Sequence, residues 1–228
     1  MAAVSIVMKL LMNPAKRLRS NSSVDMVQQH PFFKGIDWQA LQEKRVKPPE
    51  KVKKTEEDNH RFRKVLKDDN TSCIINQEVF ALKLVRNKLM SKVEKEFLLQ
   101  ALGHPFLVQL LAYFQTKESF CDVTEYCKGG TLHSLMSRLK RFHEDLARFY
   151  VAEIILAVNF LQKCGIIHRD TKPGNIFLDK DGQLKLPDFG LSQVGTFKWM
   201  RTASVCGNEA YMAPEIHQGP PEGVPTLT

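Results

Sequence analysis

Gly165-Ile166-Ile167-His168-Arg169-Asp170-Thr171-Lys172-Pro173-Gly174-Asn175 decides the fold class, together with Asp188-Phe189-Gly190 a hairpin's length further on. The first run carries a carboxylate, an ammonium and a carboxamide on Asp170, Lys172 and Asn175, and Asp188 adds a second carboxylate. Between the two runs, Ile176–Leu178 and Leu184–Leu186 read as hairpin arms turned by Asp181-Gly182. Before them, Leu146, Phe149, Tyr150, Ile154, Ala157 and Leu161 recur at helical spacing from about Glu144 to Cys164. Gly165 stands where a helix C-cap glycine belongs. After them, Ala213-Pro214-Glu215 closes a polar loop.

These residue types fit one chemistry well. Phosphoryl transfer needs a carboxylate to orient and deprotonate an incoming hydroxyl, oxygen ligands for a divalent cation, and a cation on the transferring group. Asp170, Asn175, Asp188 and Lys172 supply those types on loops tied together by a short hairpin. Three such triplets in order, with Ala81-x-Lys83 upstream, are far more specific than any one of them. Asp179 and Asp181 read as turn residues only. Asp179-Lys180-Asp181-Gly182 lacks the remaining ligands of a calcium loop.

Further upstream, Val79–Val85 is a short apolar strand, and Ser91 opens a helix with Val93, Phe97, Leu98 and Ala101 on one face. Leu107–Phe114 and Phe120–Glu125 read as a second hairpin, and Gly129-Gly130 breaks the chain after it. Residues 1–50 hold two helical patterns and an aromatic extended piece, His30-Pro31-Phe32-Phe33. Residues 51–70 form a charged linker, 71–217 the catalytic region, and 218–228 a tail without fixed structure. Ala2–Met12 reads as an amphipathic helix; as a signal peptide it lacks a preceding basic region and a small-residue cleavage site, and a mitochondrial presequence is the weaker reading. No apolar run reaches the ~20 residues that span a bilayer.

The chain has 228 residues, 43% hydrophobic and 25% charged, as expected of one globular domain with irregular segments. Its five cysteines form no C-x-x-C pair, so an intracellular, cytoplasmic protein without structural zinc is expected, cytoplasm and nucleus not being distinguished. The net charge of +8 lies largely between Lys44 and Lys67 with few interleaved aromatics, which reads as a solvated linker and not a nucleic-acid surface.

Residues 79–217 resemble the catalytic core of the protein kinase group that includes protein kinases A and C. Phe114-Gln115-Thr116-Lys117-Glu118, and Cys206-Gly207 before the Ala-Pro-Glu triplet, are most similar to protein kinase C. The resemblance implies an α+β, bilobal kinase-like fold that transfers the γ-phosphoryl group of ATP, with Mg²⁺, to serine or threonine hydroxyls of protein substrates. It makes Asp170 the catalytic base, Lys172 the γ-phosphate contact, and Asn175 and Asp188 the Mg²⁺ ligands. Lys83 falls at the lysine of the α- and β-phosphates, with Glu94 as its partner. Thr124 falls at the gatekeeper, Glu125, Tyr126 and Cys127 at the adenine-binding hinge, and His168, Phe189, Leu98 and Leu110 at the apolar spine. Glu94 has a second reading, because Ser91-x-x-Glu94 is a capping box. Ser204 aligns with the activation-loop phosphorylation site, where a phosphate would face Arg169; the other reading is an ordinary loop hydroxyl.

The same resemblance reaches the first fifty residues from the other end. Leu11–Leu18 is similar to the last helical region of the C-terminal lobe, and His30–Trp38 with Pro48-Pro49 to the tail that follows it. Arg17 would match the arginine that pairs with Glu215. The segment is either the remnant of a preceding domain, which sequence order favours, or a permuted end that docks back on the lobe. Arg61–Leu66 resembles the opening of a fresh kinase domain.

Several positions depart from the pattern. Lys67–Cys73 stands where a glycine-rich phosphate loop is expected, and the Asp-x-Trp-x-x-Gly helix is absent, so an incomplete helical lobe is expected. Thr131, Gly174 and Asn208 replace residues usual in the family, and Pro187 precedes Asp188. A different class of function, a non-catalytic kinase-like binding module or truncated gene product, is the alternative to an active kinase.

Overall fold

The structure is a computed structural model. It describes residues 2–12, 24–50, 72–75, 78–85, 99, 102–115, 120–187, 193–194 and 209–212. The chain divides into two compact units, each assembled from separate stretches of sequence.

The first unit joins residues 1–49, 141–172 and 191–228. Its axis is a twenty-residue helix, which we label by chain order after α1 (Ala2–Leu10), α2 (Asp25–Gln28), α3 (Trp38–Gln42) and α4 (Leu132–Leu139) as α5 (Glu144–Lys163). The His143 side chain caps α5 by accepting from the Leu146 N–H at 3.3 Å, and Glu144 and Asp145 place negative charge in its first turn. Leu146, Phe149, Tyr150, Leu156, Ala157 and Leu161 are buried along it, while Ile154 is only half-buried. Gly165, at φ +73°, ends the helix by donating to the Gln162 carbonyl at 2.9 Å, a conformation costly to any residue with a Cβ. The chain then enters β5 (Ile166–Ile167).

The N-terminal segment lies on α5. The expected extended piece at His30–Phe33 is instead a 3₁₀ turn, Pro31–Phe33, that packs against α5, as α3 does. The reason is local: Pro31 presets φ at the first helical position, and His30 Nδ1 accepts from the Phe32 N–H at 3.2 Å. Phe33 and Leu41 are fully buried, Phe33 meets Trp38 edge-on at 5.3 Å, and the Arg148 guanidinium of α5 sits 5.6 Å from the Phe32 ring centroid. Helix α1, as expected, forms over Ala2–Leu10; its Ser5 hydroxyl lies 3.3 Å from His30 Nε2.

The second unit joins residues 50–140 and 173–190. Its main element is an antiparallel sheet ordered β1-β2-β4-β3, from β1 (Ser72–Ile75), β2 (Glu78–Val85), β3 (Leu110–Gln115) and β4 (Phe120–Glu125). Strand β1 was not expected, because its first two residues fall in the stretch Lys67–Cys73, read only for a missing glycine loop, and Ile74-Ile75 alone is too short a run to show a period. Leu107 and Val108 leave the expected hairpin: Leu107 bridges in parallel to Leu186, and Val108 N–H donates to the Leu186 carbonyl at 3.1 Å. The hairpin expected from Ile176–Leu178 and Leu184–Leu186 is present as β6 (Phe177–Leu178) and β7 (Leu184–Lys185). Asp179 is the turn residue it was read to be, its Oδ1 accepting from the N–H groups of Asp181 at 2.9 Å and Gln183 at 3.0 Å.

Gly129 explains itself by close approach. A Cβ there would lie 2.5 Å from the Asp179 carbonyl oxygen and 2.7 Å from the Leu178 Cβ, while its N–H donates to the Leu178 carbonyl at 2.8 Å. Thr131 then caps α4 through its hydroxyl, which accepts from the Ser134 N–H at 3.1 Å. The residue that departs from the family pattern therefore has a structural use. β8 (Gln193–Val194) belongs to the first unit and pairs antiparallel with β5.

Candidate active site

In the first unit, α5 and β5 lead directly into His168-Arg169-Asp170. His168 is buried, and its Nδ1 accepts from the Asp170 N–H at 3.3 Å, which turns the backbone tightly before the carboxylate. Arg169 holds φ +65°, in the left-handed region that strains a residue with a Cβ by ~1–2 kcal/mol. Such strain beside a charged loop residue is a feature of functional sites. Asp170 Oδ2 accepts from Lys172 Nζ at 3.1 Å, with the two side chains 14% and 26% exposed. That burial strengthens the attraction, yet leaves the carboxylate within reach of a hydroxyl.

In the second unit, Asn175 closes the 3₁₀ turn Pro173–Asn175, which packs against α4. Leu132 N–H donates to the Ile176 carbonyl at 2.7 Å, so α4 and the segment after Asn175 hold each other. On the sheet, Lys83 and Thr124 are half-buried, and Ala81 pairs with Thr124 across the β2–β4 ladder. Leu110 also pairs with Thr124, from the β3 side. Cys127 is buried, and Cys121, Cys127 and Cys164 form no disulfide. Burial first, then the charge of Asp122, pushes the Cys121 thiol up; burial alone raises Cys164.

Glu125, placed by resemblance at the hinge, is already engaged through its side chain. Its Oε1 accepts from Lys185 Nζ at 2.6 Å and from the Gln109 N–H at 2.9 Å. Lys185 also reaches the Leu107 carbonyl at 3.4 Å and is 6% exposed. A buried lysine needs such a partner, so this carboxylate holds β7 to the end of β4. Sequence reasoning missed Lys185 and Asp122. The signal in both cases was a charge inside an apolar strand.

Glu94, Asp188, Phe189, Ser204 and Glu215 lie outside the described residues, as do Arg17, Leu98 and the stretch Lys67–Thr71. No group of three or more His, Cys, Asp or Glu side chains able to hold a metal occurs among the described residues. Magnesium does not need one, since it binds through one or two protein oxygens plus substrate phosphates and water. The hard oxygen of the Asn175 carboxamide fits that cation.

The protein kinase domain family matches residues 69–225. The chain belongs to that family. This kinase chain is 42% identical over 152 residues to "Protein kinase C zeta type" of Oryctolagus cuniculus, covering 63% of the chain and 26% of that protein. It is 40% identical over 151 residues to "Atypical protein kinase C" of Drosophila melanogaster, covering 63% and 25%. It is also 41% identical over 149 residues to "Protein kinase C eta type" of Mus musculus, covering 62% and 22%. The kinase chain thus spans about a quarter of the length of the curated relatives it matches. The matched relatives are all of protein kinase C type, and the mixed helix and sheet of the chain agree with the expected α+β class. Among its described residues no helix is long and apolar enough to cross a membrane.

Proposed function

We propose that the chain phosphorylates serine or threonine hydroxyls of protein substrates with ATP. The observation that carries this reading is the Asp170–Lys172 pair, a carboxylate and an ammonium 3.1 Å apart on the loop that follows β5. In this role the substrate hydroxyl oxygen attacks the γ-phosphorus, and the bond from that phosphorus to the bridging oxygen of ADP breaks. Asp170 accepts the hydroxyl proton, and Lys172 steadies the charge on the transferring group. Lys83 holds the α- and β-phosphates, and the segment Glu125–Cys127 receives the adenine through its backbone, because the Glu125 carboxylate is already engaged.

Mg²⁺, when bound, neutralises charge on the phosphates. Asn175 and Asp188 would hold it, Glu94 would pair with Lys83, and Ser204 with Arg169 would form the phosphorylation-controlled contact. His168, Phe189 and Glu215 support these groups structurally. The domain limits read from sequence, and a reducing intracellular setting with nucleotide to hand, belong to the same proposal. No observation among the described residues favours the non-catalytic alternative.

The test is transfer of labelled phosphate from ATP to a library of serine- and threonine-containing peptides. Asp170→Asn should lower turnover by ~10²–10⁴-fold, the usual worth of a positioned base, with the melting temperature unchanged. A cooperatively folded wild-type chain that neither transfers phosphate nor melts higher with Mg²⁺-ATP would end this reading.

A further inference from the structure

Strand β4 contains a carboxylate that the reaction above does not use. Asp122 is 1% exposed, in the middle of Phe120-Cys121-Asp122-Val123-Thr124-Glu125. Cys121 and Val123 are buried on the opposite face of the strand, and on its own face Tyr113 and Phe120 stack with their centroids 6.0 Å apart. Removing a carboxylate from water costs several kcal/mol unless a counter-charge and hydrogen bonds compensate.

The ladder register shows what stands opposite. On β2 the residue directly paired with Asp122 is Lys83, and the residue paired with it on β3 is Tyr113. Directly paired residues carry their Cβ atoms on the same face of a sheet, about 4.5–5.5 Å apart. Lys83 is thus the cation that the ladder presents to Asp122. Ala81 and Thr124 share this face, two residues along each strand.

We infer that Asp122 is a second counter-ion of Lys83, besides the Glu94 partner proposed above, and a positioning residue that steadies the phosphate-binding ammonium from within the sheet. The pairing belongs to β2 and β4 alone and needs no helix to be in place. Its consequence for nucleotide rests on the function proposed above: an ammonium steadied against its own sheet meets the phosphates with less freedom to lose.

A double-mutant cycle on the intact chain tests the pair by thermal melting. Asp122→Leu and Lys83→Met should each lower the melting temperature, because each leaves one charge without its partner. The double variant should regain most of the loss. Strictly additive losses would overturn the pairing, whether or not the chain binds nucleotide. Mg²⁺-ATP titration then tests the positioning role. Asp122→Leu should weaken binding on the order of tenfold, the worth of one charge-assisted contact, and Asp122→Glu should restore part of it. Equal or tighter binding by Asp122→Leu would overturn that role even if the cycle shows coupling. A wild-type chain that binds no Mg²⁺-ATP would remove the proposed function and the positioning role with it, and leave the cycle to judge the pair.

Discussion

His30 shows how much one side chain can decide locally. It is buried, caps the turn that begins at Pro31, and meets Ser5 of α1 through its other ring nitrogen. Burial, and then the Lys9 ammonium, hold its imidazole below the ordinary value of 6.5. As pH falls the unfolded chain therefore binds the proton first, so the contribution of His30 is whole above about 6.5 and is lost as pH falls through the lowered folded value. The melting temperature should drop more steeply between about pH 7 and pH 5 in the wild type than in His30→Gln. Equal slopes in the two proteins would show that His30 does not titrate with folding. At this scale motif order singled out Asp170, Lys172 and Asn175, and the structure places the Asp170 and Lys172 side chains 3.1 Å apart and Asn175 at the end of the turn Pro173–Asn175. It was silent on Lys185 and Asp122, whose partners are 60 and 39 residues away along the chain.

At the scale of elements, local signals worked where the period was long or the turn chemistry explicit. Helix α5 carries both, with its apolar spacing and Gly165, and it ends within a residue of expectation. The β6–β7 hairpin was legible for the same reason, through Asp179 and Asp181-Gly182. His30–Phe33 misled because aromatic residues beside proline suit an extended chain, whereas His30 caps a turn there. Strand β1 was invisible because four residues have no measurable period. The packing of α3 and the Pro31–Phe33 turn on α5 predicts that Leu41→Ala and Phe33→Ala each destabilise the chain by ~2–5 kcal/mol. Chemical denaturation of the intact chain measures this, and loss of less than half a kcal/mol would mean that the segment adds little to the unit (surface substitutions stay within ~0.5 kcal/mol).

At the scale of the whole molecule, each unit is gathered from separate stretches, and no local pattern announces that residues 24–45 share a unit with α5. Motif order favours the remnant of a preceding domain over a permuted end; the described contacts show α3 and the Pro31–Phe33 turn packed on α5. The charge of +8 is a property of the same scale, and it was read as linker charge. On that reading the chain leaves a heparin column at modest salt; retention well above ~0.2 M salt would instead indicate a built phosphate-binding face. The docking of α3 on α5 also has a consequence for biosynthesis. Leu41 leaves the ribosome about a hundred residues ahead of Glu144. At ~5–20 residues per second this leaves Phe33 and Leu41 without their partner helix for roughly 5–20 s. During translation they are a candidate resting place for a chaperone that shields apolar nascent chain.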